Sequence, residues 1–384
     1  SEYNCIYFVK LDNLRFIATI SPSCEQVRVT VPSIYNTEST RMKLMEQSEL
    51  VIYKLEKCVS EVRQLTALHH FKAGHMSNEK LHLYALNAGS IMPETQPIAD
   101  VTLLNTKLNE DISQKKALEN CLCEKNWFMI QGPPGTGKTT VIRELIWQTI
   151  QQYPQARILI VSQANVAVDN VLRGLLKAGI PNSRILRCGR NDKIAEDVRQ
   201  ISYEYKYNNY LQLLHSKADL GDKIATEWLD ILYHSLHKNA DIGELLIHEH
   251  RIIGATCVGL AQKNIGLEEM TFDLVIIDEA GKALAPEILI PLNKAQKVIM
   301  IGDHKQLPPV VNPAIYDPEK IELDDRLYFK QEIFDTSFFE REFMACPSSN
   351  KTTLTTQYRM PAIIGNMVSE LFYEGAIKNG TNTC

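Results

Sequence analysis

The segment QGPPGTGKTT, Gln131 to Thr140, restricts what this chain can fold into more than any other stretch. It fits the pattern G-x-x-x-x-G-K-[ST] at Gly132, Gly137, Lys138 and Thr139. An apolar run, WFMI from Trp127 to Ile130, enters it, and VIRELIWQTI leaves it with apolar residues at helical spacing. Strand, glycine turn and helix together define a phosphate-binding loop, because only that context turns successive backbone N–H groups toward one anion. Gly132, Gly135 and Gly137 let the backbone curl, Pro133, Thr136 and Thr140 complete the loop, and the helix N-terminus adds partial positive charge. Lys138 is placed to reach the β- and γ-phosphates of a nucleoside triphosphate, and the Thr139 hydroxyl to bind Mg2+.

Three later segments extend this site. VIIDEAG ends an apolar strand on Asp278 and Glu279. Carboxylates there are costly to desolvate without a cation, so Asp278 is a magnesium ligand candidate and Glu279 a candidate general base. KVIMIGD runs into HKQLPPVV, which puts Gln306 after another strand, where it can sense the γ-phosphate or the attacking water. TTLTTQYRMPAII pairs Tyr358, a ring that can stack on a base, with Arg359, a guanidinium that can neutralise charge on the transferred phosphoryl group.

The chain has 384 residues, which suits two or three structural units. Lys and Arg number 41 against 46 Asp and Glu, a net charge of −5, which argues against coating nucleic acid by bulk charge but leaves room for a local basic channel. No apolar run is long enough to span a membrane, so no membrane partner is expected. The nine cysteines are scattered, and Cys121 and Cys123 alone are a poor zinc signature. Reduced thiols and a cytoplasmic or nuclear location follow as expectations.

Residues 1–36 alternate apolar and polar and predict a β-rich, barrel-like segment. Residues 37–73 carry helical spacing without proline or glycine and predict one long stalk helix. Residues 74–107 read as a connector. From 108 to 384, Ile/Val/Leu-rich strands alternate with amphipathic helices, which predicts an α/β fold with a parallel sheet and helices on both faces. Residues 191–249 interrupt that rhythm as a helical insertion. Its His234, His237, His248 and His250 are expected on solvated helix faces rather than around a metal.

QGPPGTGKTT, DEAG, GDHKQLPP and QYRMP, in this order, resemble the motor motifs of superfamily 1 helicases, and more narrowly those of the up-frameshift-like family. That resemblance implies a P-loop RecA-like domain, ATP with Mg2+, and 5′-to-3′ movement on single-stranded RNA or DNA. LNEDISQKKAL resembles the family's adenine-recognising motif, with Gln114 as the reader. VSQANVAVDNVL implies nucleic-acid backbone contacts from Gln163 and Asn165, and GATCVG implies one from Thr256. The stalk, barrel and insertion occupy the family's positions for them. The family's second RecA-like domain, with a second arginine, is expected to begin about where this sequence stops, and protein regulators are expected partners. The rival expectation is a nucleotide-dependent RNA- or protein-binding switch that does not unwind.

Overall fold

The computed structural model describes residues 5–11, 14–23, 26–30, 42, 51–54, 59–98, 101–234, 240–261, 267, 270–311 and 336–381. The chain divides into two units, 1–75 and 76–384. In the first, β1 (Cys5–Leu11), β2 (Leu14–Ser23), β3 (Gln26–Thr30) and β4 (Val51–Lys54) form an antiparallel sheet in the order β3-β2-β1-β4. Helix α1 (Val59–Lys72) follows.

One expectation is overturned here. The stalk predicted as a single helix over 37–73 contains β4, and its described helix starts only at Val59. Val51, Ile52 and Tyr53 suit a strand, and β4 pairs with β1 through Val51–Lys10, Ile52–Val9 and Tyr53–Phe8. A ladder to residues some forty positions away outweighed local helical spacing. The rest of 37–58, Met42 apart, lies outside the described residues.

The second unit is built on a seven-stranded parallel sheet flanked by helices. Its strands are β5 (Trp127–Gln131), β6 (Ile158–Ser162), β7 (Ile185–Arg187), β8 (Ile252–Thr256), β9 (Leu274–Asp278), β10 (Val298–Gly302) and β11 (Lys351–Thr353). They lie in the order β11-β5-β10-β9-β6-β8-β7. Phe128, Ile130, Ile158, Ile160, Ile276, Ile299 and Ile301 face one core with Val141 and Leu145 of α4 (Lys138–Gln152) and Val168 and Leu172 of α5 (Asn165–Lys177). The intervening Met129, Leu159, Val275, Ile277 and Met300 are buried as well. Both faces are therefore covered, which is why these strands are apolar throughout.

Register aligns the functional ends. Gln131 pairs with Gly302 and Thr353, and Ser162 pairs with both Asp278 and Thr256. The C-terminal ends of β11, β5, β10, β9, β6 and β8 thus form one edge.

Within the connector expected over 74–107, residues 76–107 belong to this unit and pack onto it. Asn78 caps α2 (Glu79–Leu86), whose Leu81 and Tyr84 are buried. The Asn78 amide donates to the Gln296 carbonyl at 2.7 Å, and Glu144 accepts from the Leu104 and Asn105 N–H groups.

Between β7 and β8 stand α6 (Tyr203–Asp219), α7 (Lys223–His234) and α8 (Ala240–Glu249), which share a small core of Leu214, Ala225, Leu229, Leu232 and Leu246. His250, expected on a solvated face, is buried. Its Nδ1 bonds the Leu246 carbonyl, and its Nε2 lies 2.7 Å from the Lys206 ammonium. Burial lowers the pKa of His250 and brings that of Lys206 down to about 8. No cluster of three metal-binding side chains occurs among the described residues, and His237 and the His234 side chain lie outside them.

At the edge strand β7, Arg187 is fully buried and pairs with Asp169 of α5 at 2.7 Å. It also donates to the Asn165 Oδ1 and the Cys188 carbonyl, while Asp169 accepts from the Ala195 N–H. Removing one member strands a buried charge. Arg187→Met is expected to cost about 3–5 kcal/mol in urea unfolding, and the double variant Arg187→Met/Asp169→Leu to recover much of that loss.

Candidate nucleotide and nucleic-acid site

The phosphate loop is held from below and from behind. The Gly132 N–H donates to the Gly302 carbonyl at 2.8 Å, tying the loop to the end of β10. Gly135 and Gly137 have φ of +77° and +82°, which only glycine adopts freely. A methyl group at Gly135 would lie 2.7 Å from the Arg359 Cβ, and one at Gly137 2.5 Å from the Gln114 Nε2. The bare loop therefore lets two other motifs close against it. Thr136 is buried and donates to the Pro133 carbonyl at 2.8 Å, and the Thr140 N–H bonds Gly137 in the first turn of α4. Thr139 lies in the same turn.

Lys138 rests on the loop itself, its Nζ 2.6 Å from the Gly132 carbonyl. Burial lowers its pKa, opposed chiefly by the charges of Asp278 and Asp303. Asp278 is almost completely buried, and desolvation pushes its carboxyl up to about 6 even though it accepts the Glu279 N–H at 2.9 Å. Glu279 sits at φ 54°. A glutamate in the left-handed region costs about 1–3 kcal/mol, and its carboxylate lies 3.6 Å from the Lys282 ammonium.

Gln306 is positioned by a residue that the motifs alone did not single out. The carboxylate of buried Asp303 accepts from the Gln306 amide (2.8 Å), the Lys305 N–H (3.2 Å) and the Tyr373 hydroxyl (2.6 Å). The Gln131 amide lies 3.5 Å from the Oδ1 that accepts the Lys305 N–H, and Thr353 donates to the Gln131 Oε1. One polar row thus crosses the ends of β11, β5 and β10 and fastens the end of α11 (Ala362–Tyr373), the helix after α10 (Phe338–Ala345). The pKa of Tyr373 is raised by burial and by that bond.

Gln357, in the short strand β12 (Thr356–Gln357), is a second unforeseen residue. It is fully buried, and its side chain accepts from the Arg359 and Met360 N–H groups and donates to the Met360 carbonyl. This forms the turn that presents Tyr358 and Arg359, and the Tyr358 N–H docks on the Gly135 carbonyl at 2.9 Å. The Tyr358 hydroxyl donates to Asp111 at 2.9 Å. Burial, with that bond second, pushes its pKa up to about 12. Asp111 also caps α3 (Ile112–Cys123), from which Gln114 donates to the Thr136 carbonyl at 3.1 Å. Gln114 is buried under the loop, and its amide N–H braces the loop from there.

The three expected nucleic-acid contacts sit on the other half of the same edge. Gln163 follows β6 and is exposed, Asn165 begins α5, and Thr256 ends β8. Each already makes one bond inside the protein: Gln163 to Glu287 (2.7 Å), Asn165 from Arg187 (2.7 Å) and Thr256 from the Gly259 N–H (3.0 Å).

Known families match this arrangement. Residues 108–232 and 229–313 match AAA_11, and 334–384 match AAA_12, each described as an AAA domain. The chain belongs to the up-frameshift-like superfamily 1 helicases. Its curated relatives include ATP-dependent helicase upf1 of Schizosaccharomyces pombe, 32% identical over 72% of this chain and 28% of that protein. DNA-binding protein SMUBP-2 of Mesocricetus auratus is 30% identical over 88% of this chain and 34% of its own length. DNA replication ATP-dependent helicase/nuclease DNA2 of Saccharomyces cerevisiae is 27% identical over 92% and 22%. The chain thus spans less than half the length of these three relatives. Among solved structures, that of the PRRSV helicase aligns over 98% of this chain and 47% of its own, with 12% identity and a TM-score of 0.38.

The residues present fit ATP and Mg2+. The glycine cradle leaves backbone bare for phosphates, the Lys138 ammonium sits over the loop on its carbonyls, and Asp278 is a buried carboxylate that a cation would satisfy.

Two outcomes are expected. Because the Asp278 carboxyl rises from 3.8 to about 6 on folding, it contributes stability that is fully present below pH 3.8 and lost as pH rises through 6. That interval is worth about 3 kcal/mol. Asp278→Asn is therefore expected to stabilise the nucleotide-free protein at pH 7.5 in urea unfolding, with little effect at pH 4, while abolishing the Tm rise expected of the parent on adding Mg2+ and ATP. Asp303→Ala removes the anchor of Gln306 and Tyr373. It is expected to lower Tm by several degrees and to cut kcat far more than nucleotide affinity.

Proposed function

We propose that this chain is the first RecA-like motor domain of an ATP-dependent helicase that moves 5′ to 3′ on single-stranded RNA or DNA. The observation that carries this reading is the single sheet edge, with the phosphate loop and acidic pair on β5, β9 and β10, and Gln163, Asn165 and Thr256 beside them on β6, α5 and β8. A nucleotide and a strand bound along one edge share the same strand ends, so a change at one can shift the other.

In this reading Lys138 leaves the Gly132 carbonyl for the β- and γ-phosphates. Gln114 and Tyr358 hold the adenine, by its edge and by its face. Thr139 and Asp278 would hold magnesium, which supplies charge neutralisation across the phosphates. Glu279 takes the proton of the attacking water, and Gln306, held by Asp303, orients that water. Arg359 offsets charge on the transferred phosphoryl group from the far side of Gly135.

A second RecA-like domain would complete the site. Helix α11 supports this, because Ile363, Met367, Leu371 and Phe372 are exposed along it, and an apolar stripe of that length marks a docking surface. Such a domain would bring the second arginine, and closure of the pair would drive stepping. The rival reading, a switch that binds without unwinding, shares the same nucleotide chemistry and differs in outcome.

Glu279→Gln is expected to lower kcat by about 10²–10⁴-fold, with ATP affinity within about threefold of the parent. For protein that includes the second domain, displacement of a duplex bearing a 5′ single-stranded tail, but not one bearing a 3′ tail, is the expected result. Nucleotide-dependent binding without displacement would select the switch.

A further inference from the structure

The polar atoms left over at the three strand-facing residues are not alike. Asn165 receives the Arg187 guanidinium on its Oδ1, so its free group is an N–H donor. Thr256 receives the Gly259 N–H on its Oγ1, which leaves its O–H to donate. Gln163 differs, because its amide keeps a carbonyl oxygen as well as a second N–H. Its Nε2 donates to Glu287 at 2.7 Å, and its Oε1 carries no bond among the described residues.

The amide cannot easily turn over. Glu287 is nearly buried on α9 (Ala285–Leu292), and the same carboxylate oxygen accepts the Leu284 N–H at 2.9 Å. An acceptor that already collects one N–H would meet the Gln163 oxygen as a like partial charge. The carboxylate therefore keeps the Gln163 nitrogen inward and its oxygen outward.

Phosphate oxygens only accept hydrogen bonds. They match Asn165, Thr256 and the second Gln163 N–H, and are mismatched to the Gln163 Oε1. On a nucleic-acid backbone the complementary donor is the ribose 2′-hydroxyl, which deoxyribose lacks. Resting on the helicase reading above, we propose that Gln163 reads the sugar, accepting a hydrogen bond from a 2′-hydroxyl, and that this chain therefore prefers single-stranded RNA to DNA of the same bases.

The test is fluorescence anisotropy with labelled U12 strands that differ only in sugar: ribose, deoxyribose and 2′-O-methyl ribose. The ribose strand is expected to bind about fivefold more tightly than the deoxyribose strand, the usual worth of one hydrogen bond. The 2′-O-methyl strand, which keeps the oxygen and loses the donor, should bind no better than DNA. Gln163→Ala should bring the ribose-to-deoxyribose ratio to about one. Asn165→Ala should weaken both strands and keep the ratio. Glu287→Gln, which frees the amide to turn, should also reduce the ratio.

Equal binding of ribose and deoxyribose strands overturns the proposal, as does a preference that survives Gln163→Ala or a 2′-O-methyl strand that binds as tightly as RNA. If no strand binds even to protein that includes the second domain, the helicase reading itself fails. That result is distinct from strands binding without sugar preference.

Discussion

The in-register parallel pairing of β5, β10, β9, β6 and β8 is the constraint on which the rest of this chain depends. Backbone hydrogen bonds fix where each strand stops, so Gln131, Gly302, Asp278, Ser162 and Thr256 come to lie along one edge. A slip of one residue on any strand would turn its terminal side chain to the opposite face. The apolar burial of both faces makes such a slip expensive, so the sheet core enforces the geometry of polar groups that it never touches.

On that edge the polar residues are held by one another rather than by solvent. Asp303 gathers Gln306, Tyr373 and Gln131, Gln357 shapes the turn bearing Tyr358 and Arg359, and Asp111 joins the cap of α3 to the Tyr358 hydroxyl. The strain at Glu279 and the buried charge at Asp278 oppose stability at the same place. Such local costs at a site are tolerated where the surrounding packing determines the backbone.

The phosphate loop, the acidic pair and the alternation of strands and helices were legible because each is local, with residue types, spacing and apolar runs within about ten positions. Asp303, Gln131 and Gln357 were not, because their role lies in partners far away; Gln131 and Asp303 are 172 positions apart. Nor does periodicity report strand order, so nothing local revealed that β11 would lie beside β5. The stalk shows the opposite failure, where a convincing helical pattern around Val51–Lys54 yielded to a ladder with β1. His250 shows the same limit, since the Lys206 ammonium beside it comes from α6, more than forty positions away in the sequence.

The docking of Tyr358 on Gly135, with β11 paired to β5, has a consequence for how this protein is made. The strand that enters the phosphate loop is the first of its sheet in the sequence, yet one of its two neighbours is residues 351–353 and its loop is backed by residue 359. More than two hundred residues must be translated in between. Until they emerge from the ribosome, β5 presents an unpaired apolar edge to the cell, the kind of surface on which nascent chains associate and chaperones act. The nucleotide pocket is among the first parts of this unit to be encoded and among the last to close.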